Sequence, residues 1–235
     1  MICVGIDDTD VVGSPGTNQL ARALVAELAD CCRCVRIVRH QLLTDPRVPC
    51  TTKNGSASIM LEPLRHVSVE EIATRSRQRM RAWHVPGSDP GLCVAPVASA
   101  AVIEFGRRCQ SEFVWQTHAR TVAAAEGLYL EGLGGTQDGV IGALAAVGLA
   151  ATNDDGRIVQ LGQWPDDLSG AQRLSSLLAR GIAVREYATN RPIETGLVDV
   201  GKHLRPNRRQ GRDVLFVEPV SASGNESFFW AMKLP

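Results

Sequence analysis

The opening of the chain, MICVGIDDTDVVGSPGT, places the strongest constraint on what it can fold into. Ile2, Cys3, Val4 and Ile6 form a short apolar run interrupted by Gly5, and Asp7, Asp8 and Asp10 follow at once with Thr9 among them. An apolar run of this length bounded by turn residues predicts a buried strand. The carboxylates then stand at its C-terminal edge, where open α/β sheets place their ligands. A loop with Gly13, Ser14, Pro15 and Gly16 comes next, then TNQLARALVAELA, in which Leu20, Leu24 and Leu28 repeat at helical spacing. Thr17 therefore falls at or beside the helix N-cap.

Strand, acidic cluster, glycine loop and helix start together suit a nucleoside triphosphate. Free N–H groups and the dipole of a helix end attract phosphate, and closely spaced aspartates are hard oxygen ligands for a Mg²⁺ that bridges to it. The loop lacks the Gly-Lys-Ser/Thr of a P-loop. A plainer reading has the aspartates only capping and solvating a strand-to-helix turn.

At 235 residues the chain suffices for one large or two small domains. Lys plus Arg and Asp plus Glu are equal at 25 each, so no global positive field drives binding to nucleic acid, and any RNA contact must come from a local patch. No segment has the uninterrupted apolar length of a membrane span, and no basic n-region precedes an apolar core. The seven cysteines include no CxxC pair, so they read as structural or incidental thiols of a reducing cytoplasm.

After the first helix, CVRIVRHQLL predicts a half-exposed strand, and TDPRVPCTTKNGSASIML an irregular loop leading into a strand at Ser56–Leu61. Lys53 with Asn54-Gly55 either sets a cation and backbone amides against a phosphate or forms a tight turn beside a solvated lysine. Ser68, with Glu71 three residues on, opens a helix. Its arginines 75, 77, 79 and 81 read as a solvated face or, alternatively, a contact to a phosphate backbone.

HVPGSDPGLCVAP punctuates the chain at Pro86, Gly87, Pro90 and Gly91, which predicts domains over 1–86 and 87–235. Ser99–Glu126 is helical in pattern with a break near Gln110. In YLEGLGGTQDGVIGALAAVGLAA a strand ends in a loop with Gly132, Gly134 and Gly135, and Asp138–Ala151 forms a small-residue helix containing Gly139 and Gly142. These glycines either leave amides open to an anion or allow close helix–sheet packing. Downstream, RIVQLGQW and IAVREY read as strands and SGAQRLSSLLARG as a helix. Lys202, Arg205, Arg208, Arg209 and Arg212 make one local basic patch or a solvated hairpin loop.

Four segments carry a family resemblance. GIDDTD with its glycine loop and Thr17, the stretch TDPRVPCTTKNGSA, SDPGLCV and above all GVIGALAAVG resemble the archaeal tRNA-isoleucine agmatinylcytidine synthetases. The resemblance implies a fold of mixed α/β and α+β character: a small kinase-like α/β domain that binds ATP and Mg²⁺, followed by a ferredoxin-like α+β domain. It implies an ATP- and Mg²⁺-dependent phosphotransferase or ligase. In it Asp7, Asp8 and Asp10 hold the metal, and Lys53 offsets developing charge. Thr17 matches a family threonine that can itself accept phosphate. The nucleotide is expected at Gly13, Gly16, Thr17, Asn54 and Gly55, and the acceptor near Gly134, Gly135, Asp138, Gly139 and Gly142. The chain lacks the family's OB-fold and cysteine-rich zinc modules, so the acceptor is an unidentified small molecule or RNA, tRNA included, and a homo-oligomer is left open. The competing expectations are a regulatory module that binds nucleotide without turnover, and an RNA-modifying subunit whose partner supplies the RNA-binding domains.

Overall fold

The computed structural model describes residues 1–48, 50, 53–96, 98–162, 168–220 and 227–234. The chain divides into two compact units, Met1–Thr152 with Leu161–Gln163, and Asn153–Gln160 with Trp164–Pro235.

The first unit runs β1 (Ile2–Asp7), α1 (Thr17–Glu27), β2 (Cys32–Gln41), β3 (Gly55–Pro63), α2 (Val69–Ala82), β4 (Gly91–Ala95), α3 (Ala100–Ser111), α4 (Gln116–Ala125), β5 (Tyr129–Gly132) and α5 (Gly139–Thr152). Its strands lie in the order β5-β4-β1-β3-β2 with antiparallel neighbours. β4 returns to pair with β1, setting Cys3 opposite Ala95 and Asp7 opposite Gly91. Residues on both sides of position 86 therefore share one sheet, and the compact units part after Thr152 rather than at the expected 86/87 join.

Alternation along the strands sorts side chains to the two faces. Val4, Ile6, Leu92 and Val94 are buried on one face, where α1 and α2 pack against the sheet. Cys3, Cys93 and Ala95 join a second core with Val102, Phe105, Ala119 and the apolar residues of α5. α5 is buried along most of its length, because its small residues let the helix backbone lie directly on the strands. A Cβ on Gly5 would overlap Ala143 O, and one on Gly91 would overlap the backbone of Gly139.

Helix boundaries follow local chemistry. Ser68 caps α2 by accepting from Glu71 N, and Ser99 caps α3 by accepting from Val102 N. The helical stretch expected over 99–126 breaks between Ser111 and Gln116. The α2 arginines are engaged: Arg75 pairs with Asp30 at 2.8 Å, Arg81 and Arg77 approach Glu131 at 3.3 and 3.7 Å, and the Arg79 guanidinium stands 5.4 Å from the Trp83 ring centroid.

The second unit is β-rich: β6 (Arg157–Leu161), β7 (Ala171–Arg173), α6 (Leu174–Leu178), β8 (Ile182–Glu186), β9 (Leu197–Asp199), β10 (Asn207–Arg209), β11 (Arg212–Val220) and β12 (Phe228–Ala231). β11 pairs with β10 and β12 antiparallel and with β8 in parallel. Ile182, Val184, Leu215, Val217 and Phe229 are buried in its core. The helix expected over SGAQRLSSLLARG shortens to α6, because Ala171–Arg173 is drawn into a ladder with β9. The basic segment forms the β10–β11 hairpin, turning at Gln210 and Gly211 (φ 48 and 73), and Arg208 is held by Asp213 at 2.7 Å and Asn153 at 2.8 Å. No helix among the described residues is long and apolar enough to cross a membrane.

Candidate functional site

β1 delivers Asp7 to the sheet edge and the chain then turns sharply. Asp8 stands at φ 49, a left-handed conformation that aspartate tolerates better than most residues. Thr9 is buried. Its hydroxyl donates to Thr17 Oγ1 at 3.0 Å, and Thr17 Oγ1 in turn reaches Asp10 Oδ1 at 3.4 Å. Ser14 closes the intervening loop by accepting from Val11 N and donating to Val11 O, at 2.8 and 2.9 Å. Gly13 takes φ 87 within this turn, and Gly16 is the extended N-cap residue of α1, with no side-chain cap bond. Thr17 is thus the first helical residue, one position past the cap, with its hydroxyl tied to the acidic loop rather than to the helix.

The carboxylates raise one another's proton affinity. Burial pushes Asp7 up to about 7, the neighbouring charges of Asp8 and Asp10 add to this, and Arg39 opposes it. Asp8 is pushed up to about 6, first by burial and then by the charges of Asp89, Asp10 and Asp138. Burial raises Asp10 as well, against the hydrogen bond from Thr17. Five carboxylates of β1, its following loop, the approach to β4 and the approach to α5 therefore share one field.

The opposite wall is formed by the segment before β4 and the loop between β5 and α5. Asp89 Oδ1 accepts from Thr136 N at 2.8 Å, and its Oδ2 accepts from Thr136 Oγ1. Gln116, at the start of α4, donates to Thr136 O at 2.9 Å and to Asp138 Oδ1 at 3.0 Å. Leu133 N donates to Pro90 O at 2.7 Å. Gly135 stands at φ 51 with the Asp89 carboxylate where its Cβ would be, and His84 Cε1 lies 3.2 Å from the Cβ position of Gly134. Gly139 and Gly142 serve close packing: a Cβ on Gly139 would overlap Asp89 O, and one on Gly142 would overlap the Asp7 carboxylate. Asp138 is exposed at the head of α5.

The β2–β3 loop is organised from its ends. Asn54 donates through Nδ2 to Leu43 O at 2.8 Å, and Gln41 Nε2 donates to Asn54 O at 2.5 Å. Gly55 opens β3 opposite Gln41 rather than closing a two-residue turn. Lys53 is exposed, and its carbonyl lies 3.5 Å from Arg39 Nη2. Thr51 and Thr52 lie outside the described residues. The structure thus joins Asp10 to Thr17 and sets Asp7, Asp8, Asp10 and Asp138 in one electrostatic field. Asn54 is tied into the loop backbone.

Three contributors escape sequence reasoning. Arg39 reads as a polar member of an alternating strand, yet its guanidinium lies over Gly55 and its charge acts on Asp7. Asp89 falls within the boundary punctuation, and Gln116 carries no signal of its own within the helical stretch. Only the tertiary pairing of β4 with β1 places Asp89 near Asp8. Among the described residues no three His, Cys, Asp or Glu side chains form a group able by itself to hold a metal ion.

The sequence matches no family model, and no curated protein matches it. Solved structures do match in fold. A tRNA fluorescent labeling enzyme aligns at 22% identity and a TM-score of 0.55, over 63% of this chain and 35% of that one. Apo TiaS, the tRNAIle2 agmatidine synthetase, aligns at 21% identity and a TM-score of 0.53, with the same coverage of both chains. TiaS in complex with tRNA(Ile2) and ATP aligns at 22% identity and a TM-score of 0.53, over 63% of this chain and 36% of that one. This chain therefore shares the TiaS fold over nearly two thirds of its residues, and it spans about a third of the length of those proteins.

Proposed function

We propose that the first unit is the catalytic core of an ATP-dependent phosphotransferase or ligase. The observation that carries this reading is the set of carboxylates Asp7, Asp8 and Asp10 whose charges bear on one another, with Asp10 reaching Thr17 at the start of α1. Such a cluster is stabilised by a cation, and a helix N-terminus is stabilised by phosphate; a magnesium nucleotide supplies both. The fold is one that in TiaS has been solved with ATP, which supports the nucleotide.

The donor set fits the metal. Mg²⁺ takes oxygen ligands and is ordinarily held by one or two carboxylates together with phosphate oxygens and water, so no cage of three side chains is required. Asp8 and Asp10 would hold it, with Asp7 adding its charge from the strand end. When bound, the ion would neutralise charge on the phosphates. The amides of Gly16 and Thr17 at the start of α1 attract the phosphates, and Lys53 would reach them from the β2–β3 loop, where its exposed ammonium can follow a developing charge. In transfer, a lone pair of the acceptor forms a bond to the γ-phosphorus as the bond to the β,γ-bridging oxygen breaks. ADP leaves with that electron pair, and the acceptor's proton passes to a carboxylate of the cluster or to water. The acceptor would lie against the wall from Gly134 to Gly142. It is a small molecule or an RNA group; the second is favoured by the TiaS complex with tRNA(Ile2).

ATP binding and hydrolysis with and without Mg²⁺, on wild type and Asp8→Asn, test this, followed by mass analysis for phosphate on Thr17. Metal-dependent turnover lost in Asp8→Asn is expected. Tight binding without turnover would leave a nucleotide-sensing module, and no binding at all would leave only a shared fold.

A further inference from the structure

Resting on that reading, we infer that Asp89 is a positioning residue: it fastens the loop between β5 and α5 to the strand that pairs with the acidic end of β1. The loop from Leu133 to Asp138 is exposed from Gly135 to Asp138 and contains two residues of positive φ, Gly135 at 51 and Gln137 at 67. Left to itself such a segment samples many conformations. Here it is gripped from outside. Thr136 offers its N–H and its hydroxyl to the two oxygens of Asp89, and its carbonyl accepts from Gln116, so the backbone and side chain of one residue are held by two separate elements. The same Gln116 amide reaches Asp138 Oδ1 at 3.0 Å. Gly135 completes the fit, because the Asp89 carboxylate occupies the space that any side chain there would fill.

The grip matters to the site because the helix that follows this loop packs on the acidic end of β1, with the Asp7 carboxylate where a Cβ of Gly142 would be. Asp89 lies two residues before β4, whose Gly91 pairs with Asp7. The loop that carries Asp138 is therefore referenced to the same strand pair that carries the acidic cluster. A group approaching the cluster from the α5 side would meet a fixed surface. A carboxylate can accept both of the Thr136 bonds. An amide in its place can accept from Thr136 N and donate to Thr136 Oγ1, so the fastening survives loss of the charge.

The experiment compares Asp89→Ala, Asp89→Asn and Thr136→Val by steady-state ATP cleavage with Mg²⁺ and by hydrogen exchange of the peptide covering 133–138. Asp89→Ala is expected to speed exchange in that peptide and to lower kcat about tenfold with KM for ATP unchanged within twofold. Asp89→Asn is expected to keep slow exchange and to retain kcat within threefold. Thr136→Val, a surface change that leaves the core intact, should move in the direction of Asp89→Ala. If Asp89→Asn loses turnover as fully as Asp89→Ala, the charge and not the fastening is what matters, and the inference falls. Unchanged exchange in Asp89→Ala overturns it as well. If wild type neither binds nor cleaves ATP, the functional reading fails on its own, and the exchange measurement alone decides the role of Asp89.

Discussion

The carboxylate of Asp7 lies in the notch left by the missing side chain of Gly142, so that the last residue of β1 and the first turns of α5 occupy adjoining space. The two residues are 135 positions apart in sequence, and neither neighbour could be enlarged without moving the other. Gly142→Ala should therefore displace Asp7 or lift α5 from the sheet. Overpacking of this kind costs about 1–3 kcal/mol, read as a lower denaturant midpoint. Magnesium nucleotide binding should weaken in parallel. A variant of unchanged stability and affinity would show that the notch is not needed.

Asp7→Asn should make the protein more stable while impairing turnover. The folded pKa of about 7 lies above the ordinary value of 3.8, so between these two the folded chain binds more protons than the unfolded one. Stability from this group is present below about pH 4 and is lost as pH rises towards 7. Removing the charge should return up to about 4 kcal/mol at pH 7.5, a rise of up to about 10 °C in Tm. The gain should vanish at pH 4, and scanning calorimetry at both values checks it.

Asp8 should set the pH dependence of the proposed nucleotide binding. With its proton affinity raised to about 6, it is mostly charged at pH 7 and mostly neutral at pH 5. Magnesium nucleotide affinity should fall about tenfold over that interval if this carboxylate must be ionised to bind. Titration calorimetry measures the fall, and a flat profile would show that Asp8 takes no part.

The hydroxyl chain from Thr9 to Thr17 to Asp10 should govern how Thr17 presents itself. Thr9→Val removes a buried donor at a cost of about 1 kcal/mol and frees the Thr17 hydroxyl to rotate. Any phosphate that wild type acquires on Thr17 should then be acquired at an altered rate, and Thr17→Val should acquire none. Mass analysis after incubation with ATP and Mg²⁺ distinguishes the three proteins.

Much of the site was legible because it is local. Asp7, Asp8, Asp10 and Thr17 fall within eleven residues of a strand, turn and helix start whose periodicities are clear, and GVIGALAAVG reads as a small-residue helix for which close packing is one of two explanations. What could not be read depends on pairings across long stretches of sequence. Pro86, Gly87 and Pro90 punctuate the chain as a linker would, but the strand that follows returns to pair with β1 in the same sheet. Arg39 and Asp89 acquire their roles only from that arrangement. The short α6 illustrates the reverse case, where a ladder with β9 overrides helical spacing at Ala171–Arg173.

β1 lies between β3 and β4, beneath a helix that ends at Thr152. During synthesis the first seventeen residues leave the ribosome carrying every aspartate of the acidic cluster, yet they have no partner for one strand edge until β4 emerges, and no cover until α5 has followed. A nucleotide site of the proposed kind can therefore form only once synthesis has passed Thr152, and any cut between residues 17 and 152 should yield fragments that lack it apart and regain it only on reassociation.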